Sequence, residues 1–321
     1  MTWLITGGAG YIGSHVVSAA RSAGHSVVVI DDLSTGFADR VPADVPFVNA
    51  DIADRDAVSD AITRYGITGV VHLAAKKQVG ESVDKPFEYW EWNICKMMTF
   101  LEVLNAHGVK NFVYSSSAAV YGNPADGTTA LTEETPCQPL SPYGATKLAG
   151  EVLLESLAAI DKLNGISLRY FNVAGAGDPV LADRAAFNLI PIALTLMDAG
   201  KDITVFGTDY PTADGTCIRD YVHVEDLADA HVAAMKYLLD GNSGHIRLNV
   251  GTGHGASVLD IVHSLEKSSG RAISWTDSGR RAGDPTSVVA NVDQARDVLG
   301  WSSSRTLDDI VGSAYRAWPR K

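Results

Sequence analysis

Cysteine is scarce in this 321-residue sequence, in which Cys95, Cys137 and Cys217 are the three examples. They are far apart and form no C-x-x-C pair, so the sequence predicts neither a disulfide framework nor a zinc ribbon. Free thiols fit a reducing compartment. The nine histidines include no H-E-x-x-H pair, and we therefore expect no metal site.

Positively charged residues are also few, because 26 lysines and arginines are outnumbered by 38 aspartates and glutamates, which gives a net charge of −12. Such an acidic surface argues against a nucleic-acid or anionic-membrane partner, although a few local arginines can still hold a small anion. The longest apolar run, near residues 189–197, is too short to span a bilayer. The N-terminus lacks the pattern of a signal peptide, so we expect a cytoplasmic protein.

The content of hydrophobic residues, 46%, is ordinary for a globular chain, and the length suggests two domains. Strand-like and helix-like segments alternate in the first half, namely 3–6, 12–23, 27–30, 47–48, 54–65, 70–74, 86–107, 111–115 and 166–171. This alternation predicts an α/β fold with a Rossmann-type doubly wound parallel sheet. We expect a dinucleotide-binding domain over 1–171 and a smaller α/β domain over 172–321, with segments near 219–250 free to return to the first.

A glycine-rich run, Gly7 to Gly13, is the strongest local motif and contains G-x-G-x-x-G. It follows a predicted strand and opens a predicted helix, which is the context that dinucleotide binding requires. Glycine lets a pyrophosphate approach the backbone, and the helix N-terminus offers free N–H groups. A tight turn without a ligand is the alternative interpretation.

Two acidic residues follow neighbouring predicted strands. Asp31 lies 18 residues after Gly13, where a carboxylate accepts hydrogen bonds from both adenosine ribose hydroxyls and repels a 2′-phosphate. NAD is therefore favoured over NADP. Asp51 ends the third strand at the same edge and is placed to bond the adenine amino group.

Tyr143 and Lys147 stand four residues apart at the start of a predicted helix, so they share one face. A nearby ammonium, like a positive nicotinamide ring, lowers the pKa of a phenol from about 10. Tyr143 would then take a proton from a substrate hydroxyl as hydride leaves the same carbon, while Lys147 bonds the nicotinamide ribose. Ser117, at the end of an upstream strand, would steady the reacting oxygen. A solvated helix pair is the alternative.

With these motifs in place, the sequence resembles the extended short-chain dehydrogenase/reductase family and, within it, the UDP-glucose 4-epimerases. The resemblance covers essentially the whole chain. It is carried by TGGAGYIGSH near the N-terminus, SSSAAVYG from Ser115, SPYGATK from Ser141, RYFN from Arg169, FGTDYPTADG from Phe206 and RDYVHVED from Arg219.

The resemblance implies a set of binding residues. For NAD these are Gly7, Gly10, Tyr11, Ile12, Gly13, Asp31, Asp51, Ile52, Lys77, Asn93, Ser115, Tyr143, Lys147 and Tyr170. Ser117 and Tyr143 would face the sugar. For the UDP portion they are Asn172, Asn188, Leu189, Phe206, Arg219, Arg281 and Asp284. Two arginines suit a pyrophosphate through bidentate hydrogen bonds, which agrees with this assignment.

The sequence departs from the family at two places. After Asn93 the family shows a glycine–threonine turn of helix, whereas residues 94–97 here read Ile-Cys-Lys-Met. Where some members carry a tyrosine against the sugar, this chain has Val288. The smaller side chain leaves room for a 2-acetamido group, so we hypothesise that UDP-N-acetyl sugars are also substrates.

The implied reaction is NAD-dependent C4 epimerisation of UDP-hexoses, UDP-glucose and UDP-galactose, through a transient 4-keto sugar. A 4,6-dehydratase of the same family needs an acid–base pair after the strand serine, where this chain has Ala118 and Ala119. An epimerase for uronate or pentose sugars stays open, as does a non-catalytic NAD sensor. The family also implies a homodimer built from the helices near 86–107 and 142–161.

Overall fold

The computed structural model describes residues 1–123, 130–185, 187–281 and 284–319. Its strands are β1 Thr2–Thr6, β2 Ser26–Asp31, β3 Phe47–Asn49, β4 Ile67–His72, β5 Asn111–Ser117, β6 Asn164–Tyr170, β7 Asn172–Ala174, β8 Ile203–Val205, β9 Ile218–His223, β10 His245–Val250, β11 Gly255–Ser257, β12 Trp275–Asp277 and β13 Ser287–Val288. Its α-helices are α1 Tyr11–Ser22, α2 Arg55–Tyr65, α3 Val79–Asp84, α4 Pro86–Trp90, α5 Lys96–Ala106, α6 Pro142–Ala159, α7 Leu189–Asp198, α8 Val224–Leu239, α9 Val258–Ser269, α10 Asp293–Leu299 and α11 Leu307–Ala317.

A parallel main sheet organises the fold, and within the described ranges it has seven strands in the order β10-β6-β5-β4-β1-β2-β3. The predicted Rossmann-type doubly wound sheet is therefore confirmed. The strand order changes direction between β1 and β4, and such a switch point opens a ligand crevice at the carboxyl ends of the strands. Although β10 comes from the second half of the chain, it pairs in parallel with β6 at the sheet edge.

Apolar side chains cover both faces of this sheet, as parallel strands require. Trp3 and Ile5 of β1 pack with residues of α1, α8 and α10 on one face. Leu4, between them, packs with residues of α2, α5 and α6 on the other. The alternation along β1 thus divides the core into two layers.

Several local predictions agree with the structure because they depended on neighbouring residues. Asp54 caps α2 by accepting a hydrogen bond from the Ala57 N–H at 3.0 Å, and Ser141 caps α6 through the Gly144 N–H at 3.1 Å. The strand predicted over 70–74 ends instead at His72, after which the Leu73 and Ala74 N–H groups both donate to Thr6 Oγ1.

The long helix predicted over 86–107 runs in the structure from Pro86 to Ala106, but it is not regular throughout. A π-helical turn, Glu91–Cys95, separates α4 from α5. Wide turns of this kind are rare and accumulate at functional sites. Here the turn carries the buried Asn93, whose amide bonds the Lys76 backbone and Thr146 Oγ1, and these bonds hold the helix in the wide form.

The rest of the second half forms a smaller α/β layer at the carboxyl edge of the main sheet. Strand β9 pairs with β7, β11 and β13, while β8 pairs with β12. Helices α7, α9 and α11 pack into one apolar cluster with this layer. Among the described residues, no helix is long and apolar enough to cross a membrane.

Gly69 of β4 tests the packing of the sheet, because a Cβ there would lie 2.6 Å from Cζ3 of the fully buried Trp3. We expect Gly69→Ala to lower the free energy of unfolding by about 1–3 kcal/mol, since a packed ring has nowhere to move. Gly80→Ala is the control, because its Cβ would enter open space on α3. Urea unfolding of both variants measures the difference, and equal stabilities would contradict the packing argument.

Candidate active site

The glycine run forms a tight turn between β1 and α1. Gly7 has a φ of +71°, and a Cβ on it would lie 2.8 Å from the Ala74 nitrogen. A Cβ on Gly13 would lie 2.1 Å from the Gly7 carbonyl oxygen. Among the described residues no side chain caps α1, so its first N–H groups are free for an anion. The turn therefore has the shape and polarity that a pyrophosphate requires.

Asp31, at the end of β2, lies directly beside this turn. Its carboxylate accepts hydrogen bonds from the Ala9 N–H at 3.0 Å and the Leu33 N–H at 2.9 Å. Burial raises the pKa of this carboxyl, while the two backbone hydrogen bonds act in the opposite direction. A Cβ on Gly36 would lie 2.8 Å from Asp31 Oδ1, so glycine keeps the approach to the carboxylate open.

Asp51 lies in the turn after β3, and Ile52 beside it is buried. Asp51 Oδ1 accepts a hydrogen bond from the Ala53 N–H at 2.9 Å, and Oδ2 forms an ion pair with Lys96. The predicted acid is thus held at the expected edge, with a cationic partner that the motifs did not indicate.

The start of α6 is pressed against the end of β5, which brings the three predicted catalytic residues together. A Cβ on Gly144 would lie 2.6 Å from the Ala119 carbonyl oxygen, so glycine permits this approach. Lys147 Nζ donates a hydrogen bond to the Ser115 carbonyl oxygen at 2.6 Å and lies 5.9 Å from the centroid of the Tyr143 ring. The Ser117 side chain also lies near the Tyr143 hydroxyl, close enough to lower the pKa of that phenol.

Burial governs the charges of this group. It raises the pKa of Tyr143, and the neighbouring Ser117 side chain offsets part of that rise. Burial also lowers the pKa of Lys147 to about 7, while the carboxylate of Glu151 opposes the change. Burial therefore dominates the pKa of Tyr143 in the protein without NAD, and the lowering of that pKa by Lys147 and a nicotinamide ring stays a prediction.

A buried ion pair joins helix α6, which carries Tyr143 and Lys147, to strand β6. Glu151 of α6 and Arg169 of β6 form a two-pronged contact, with nitrogen–oxygen distances of 2.9 and 2.7 Å. Ser116 Oγ donates to the same carboxylate, and Arg169 also donates to the Tyr121 hydroxyl at 2.9 Å. Sequence reasoning missed this network, although Glu151 continues the four-residue spacing of the tyrosine and lysine.

Three of the predicted cofactor residues have other neighbours in the structure. Lys77 is exposed, with its Nζ 5.9 Å from the Tyr11 ring centroid. Asn93 is buried, and its amide is committed to the Lys76 backbone and Thr146. The Tyr170 hydroxyl bonds to His231 of α8 on the helix-covered face of the sheet. The side chains of Asn93 and Tyr170 thus contact other segments of the protein in this structure.

The predicted nucleotide residues form two contact groups. Arg219 of β9 faces Asp284 at 3.6 Å and lies opposite Val288 of β13. The Arg281 guanidinium lies 3.6 Å from the Phe206 ring centroid.

The remaining predicted residues on this side begin elements of the smaller layer. Asn172 begins β7, which pairs with β9, and Leu189 begins α7. Asn188 directly precedes α7, makes no capping hydrogen bond with its side chain, and donates a hydrogen bond to Asp183 at 3.4 Å. Asn172, Asn188 and Leu189 therefore lie in the smaller layer at the carboxyl edge of the main sheet. The contacts described here do not join them directly to the Arg219–Asp284 or Arg281–Phe206 pair.

A doubly wound sheet with a glycine turn at its switch point, and with a serine, tyrosine and lysine beside the end of β5, defines a dinucleotide-binding protein of the short-chain dehydrogenase type. More specifically, the chain belongs to the NAD-dependent epimerase/dehydratase family, whose model matches residues 3–251.

Individual relatives are similar over nearly the whole chain. A UDP-glucose 4-epimerase of Azospirillum brasilense is 44% identical, over 99% of this chain and 91% of that one. Its counterpart in Corynebacterium glutamicum is 42% identical, over 98% and 95%. A solved UDP-glucose 4-epimerase of Stenotrophomonas maltophila, with bound NAD and formylated UDP-arabinopyranose, is 38% identical with a TM-score of 0.93, over 99% and 97% of the two chains.

The ion pair beneath the site predicts a large stability effect. Glu151→Ala leaves the Arg169 guanidinium buried without its partner, and we expect it to lower the free energy of unfolding by about 3–5 kcal/mol. Glu155→Ala, one turn further along α6, is the control because the Glu155 side chain is 57% exposed and its partner Arg247 keeps a second contact, with Glu151, at 3.3 Å. That change should cost about 1 kcal/mol or less. Chemical denaturation decides, and comparable losses in both variants would refute a special role for Glu151.

Proposed function

We propose that this protein is an NAD-dependent UDP-hexose 4-epimerase that interconverts UDP-glucose and UDP-galactose. The observation that carries the proposal is the meeting of Ser117, Tyr143 and Lys147 at the carboxyl edge of the sheet, close to the hydrogen-bonded strand end Ser115. The family membership and the similarity to named UDP-glucose 4-epimerases support the same activity.

The residues at the switch point fit NAD. A Cβ would clash at Gly7, Gly8 and Gly13, and the start of α1 presents free N–H groups, which suits a pyrophosphate. Asp31 offers a carboxylate for the ribose hydroxyls and disfavours a 2′-phosphate, and Asp51 and Ile52 follow on the adenine side. When bound, NAD supplies a hydride acceptor that later returns the hydride. Lys147 would bond the nicotinamide ribose.

Tyr143 would act as the acid and base toward the C4 hydroxyl of the hexose. Its oxygen takes the hydroxyl proton as the carbon is oxidised and returns it after the 4-keto sugar has turned over. Ser117 donates a hydrogen bond to the reacting oxygen. Because burial raises the pKa of Tyr143, the positive charge of Lys147 and of oxidised NAD is needed to favour the phenolate.

The nucleotide half of the substrate would be held by the smaller layer. Arg219 and Arg281 suit the diphosphate, Phe206 the uracil, and Asp284 the ribose hydroxyls. Asn172, Asn188 and Leu189 complete this set as the resemblance assigns it. A firmly held nucleotide and a loosely held hexose allow the keto sugar to rotate between the two hydride transfers.

These roles divide the chain into a cofactor lobe and a substrate lobe. Residues 1–171, with the returning strand β10 and helix α8, would hold NAD, and the remainder of 172–321 would hold the UDP-sugar. The 4,6-dehydratase alternative is disfavoured because Ala118 and Ala119 occupy the place where its acid and base would stand.

A homodimer in the cytoplasm completes the proposal. Apolar side chains on α3 to α6 remain exposed, with Phe87 at 87%, Val83 at 61% and Val152 at 51%. A two-fold partner would cover such a face. The free thiols of Cys95, Cys137 and Cys217 fit a reducing compartment.

Tyr143→Phe tests the catalytic assignment. Removing the hydroxyl should lower the turnover of UDP-galactose by at least about a hundredfold while bound NAD is retained, because the group transfers the proton and the ring keeps the packing. Tyr65→Phe, on the surface helix α2, is the control. Coupled assay of UDP-glucose formation and NAD release after denaturation measure both properties. Normal turnover in the Tyr143 variant would disprove the mechanism.

Val288→Tyr tests the proposed range of substrates. Val288 is half-buried and packs in one cluster with Tyr121 and Phe171. A tyrosine there should lower conversion of UDP-N-acetylgalactosamine about tenfold or more, because it fills the space for the acetamido group. Conversion of UDP-galactose by the same preparation is the internal control, and an unchanged ratio of the two activities would argue against this gate.

A further inference from the structure

An ion pair outside the catalytic group joins two separate segments of the cofactor lobe. Asp51 lies in the turn after β3, and Lys96 is the first residue of α5. Their carboxylate and ammonium are in direct contact, and the side chains are 35% and 17% exposed. The sequence motifs indicate the acid, Asp51, but give no sign of its partner, Lys96.

Trp92 completes the arrangement from within the π-helical turn Glu91–Cys95. The Lys96 ammonium lies 3.5 Å from the centroid of the Trp92 ring, a close cation–π contact. A second cation, Lys76, lies 5.4 Å from the same ring. Lys96 is thus held from two sides, by a carboxylate and by an aromatic face, and its ammonium is restrained despite its long flexible stem.

The sheet places this cluster beside the adenosine end of a bound dinucleotide. Asp31 and Asn49 are paired across β2 and β3, and the Asn49 amide donates to the Asp31 carbonyl oxygen at 2.9 Å. Asp51 follows two residues later, at the same carboxyl edge. If Asp31 binds the ribose, the base extends along this edge toward the Asp51 turn.

The carboxylates around Lys96 make a cation at this position favourable. Asp31, Asp32 and Asp51 are three carboxylates on one strand edge of a protein with a net charge of −12. An unpaired Asp51 would add to the negative potential near an anionic ligand, and its turn would lose its tie to the helix. Lys96 neutralises this carboxylate and fixes its position.

We infer that Asp51, Lys96 and Trp92 form a latch, here called the adenine latch, which holds the Asp51 turn against the base and slows the release of the dinucleotide. The inference rests on the proposed NAD site and assigns Lys96 and Trp92 as positioning residues that act through Asp51. The latch sets how long the dinucleotide stays bound, and its residues do not touch the reacting carbon.

The test compares dissociation rates of labelled NAD from the purified protein, chased with excess unlabelled NAD. Lys96→Met removes the ammonium and keeps the length of the side chain, and it should speed release about tenfold, equivalent to about 1.4 kcal/mol. Lys96→Arg keeps the charge and the stacking, and should release NAD at the wild-type rate. Lys110→Met is the matched control, because Lys110 pairs with the exposed Asp161 before β5.

A double-mutant cycle shows whether Lys96 acts through Asp51. In an Asp51→Asn background, adding Lys96→Met should speed release by less than about threefold, because the partner is already lost. A full tenfold effect in that background would overturn the latch, as would wild-type release by the Lys96→Met variant. Thermal unfolding of the NAD-free variants detects a general loss of folding. If such a loss caused the faster release, Lys96→Arg would not restore the wild-type release rate.

The outcomes separate this inference from the proposed function. If the wild-type protein neither contains nor binds NAD, the proposed function fails. If it holds NAD and every Lys96 variant releases it at the same rate, the function stands and the adenine latch is refuted.

Discussion

The contact on which the site depends is the buried ion pair between Glu151 and Arg169. It joins helix α6 to the sheet, and Ser116 adds a hydrogen bond from the strand that carries Ser117, the proposed catalytic serine. A pair of this kind gains little over an apolar substitute, but breaking it is costly. Its value lies in geometry, because Tyr143 and Lys147 precede Glu151 by whole turns of the same rigid helix.

The burial that orders this helix also disfavours charge on Tyr143 and Lys147. Desolvation raises the pKa of Tyr143 and lowers that of Lys147 to about 7, so it disfavours the charged form of each. Glu151 restores part of the lysine's preference for the proton. In the proposed mechanism the phenolate is then favoured only when positive charge surrounds it, so proton transfer is coupled to the oxidised state of the bound dinucleotide.

Much of the fold followed from neighbouring residues. The glycine turn, the caps at Asp54 and Ser141, and the facing of Tyr143 and Lys147 are all decided within about two helical turns of sequence. The sequence could not establish features that depend on distant partners. The place of β10 beside β6 needs long-range strand pairing, and the π-helical turn exists because Asn93 meets the loop at Lys76.

Side-chain direction is a second feature that the sequence could not establish. A motif identifies a residue type and a strand end, but the contacts of Tyr170 with His231 and of Asn93 with the protein backbone are not encoded in spacing. Lys96 is the reverse case, since it interrupts a family pattern and yet completes an ion pair 45 residues away in sequence. A catalyst whose dinucleotide is oxidised and reduced in each cycle has no need to exchange it. Residues far from the reacting carbon can therefore vary to strengthen its retention without altering the chemistry, and a departure from the family pattern at the adenine end is consistent with that freedom.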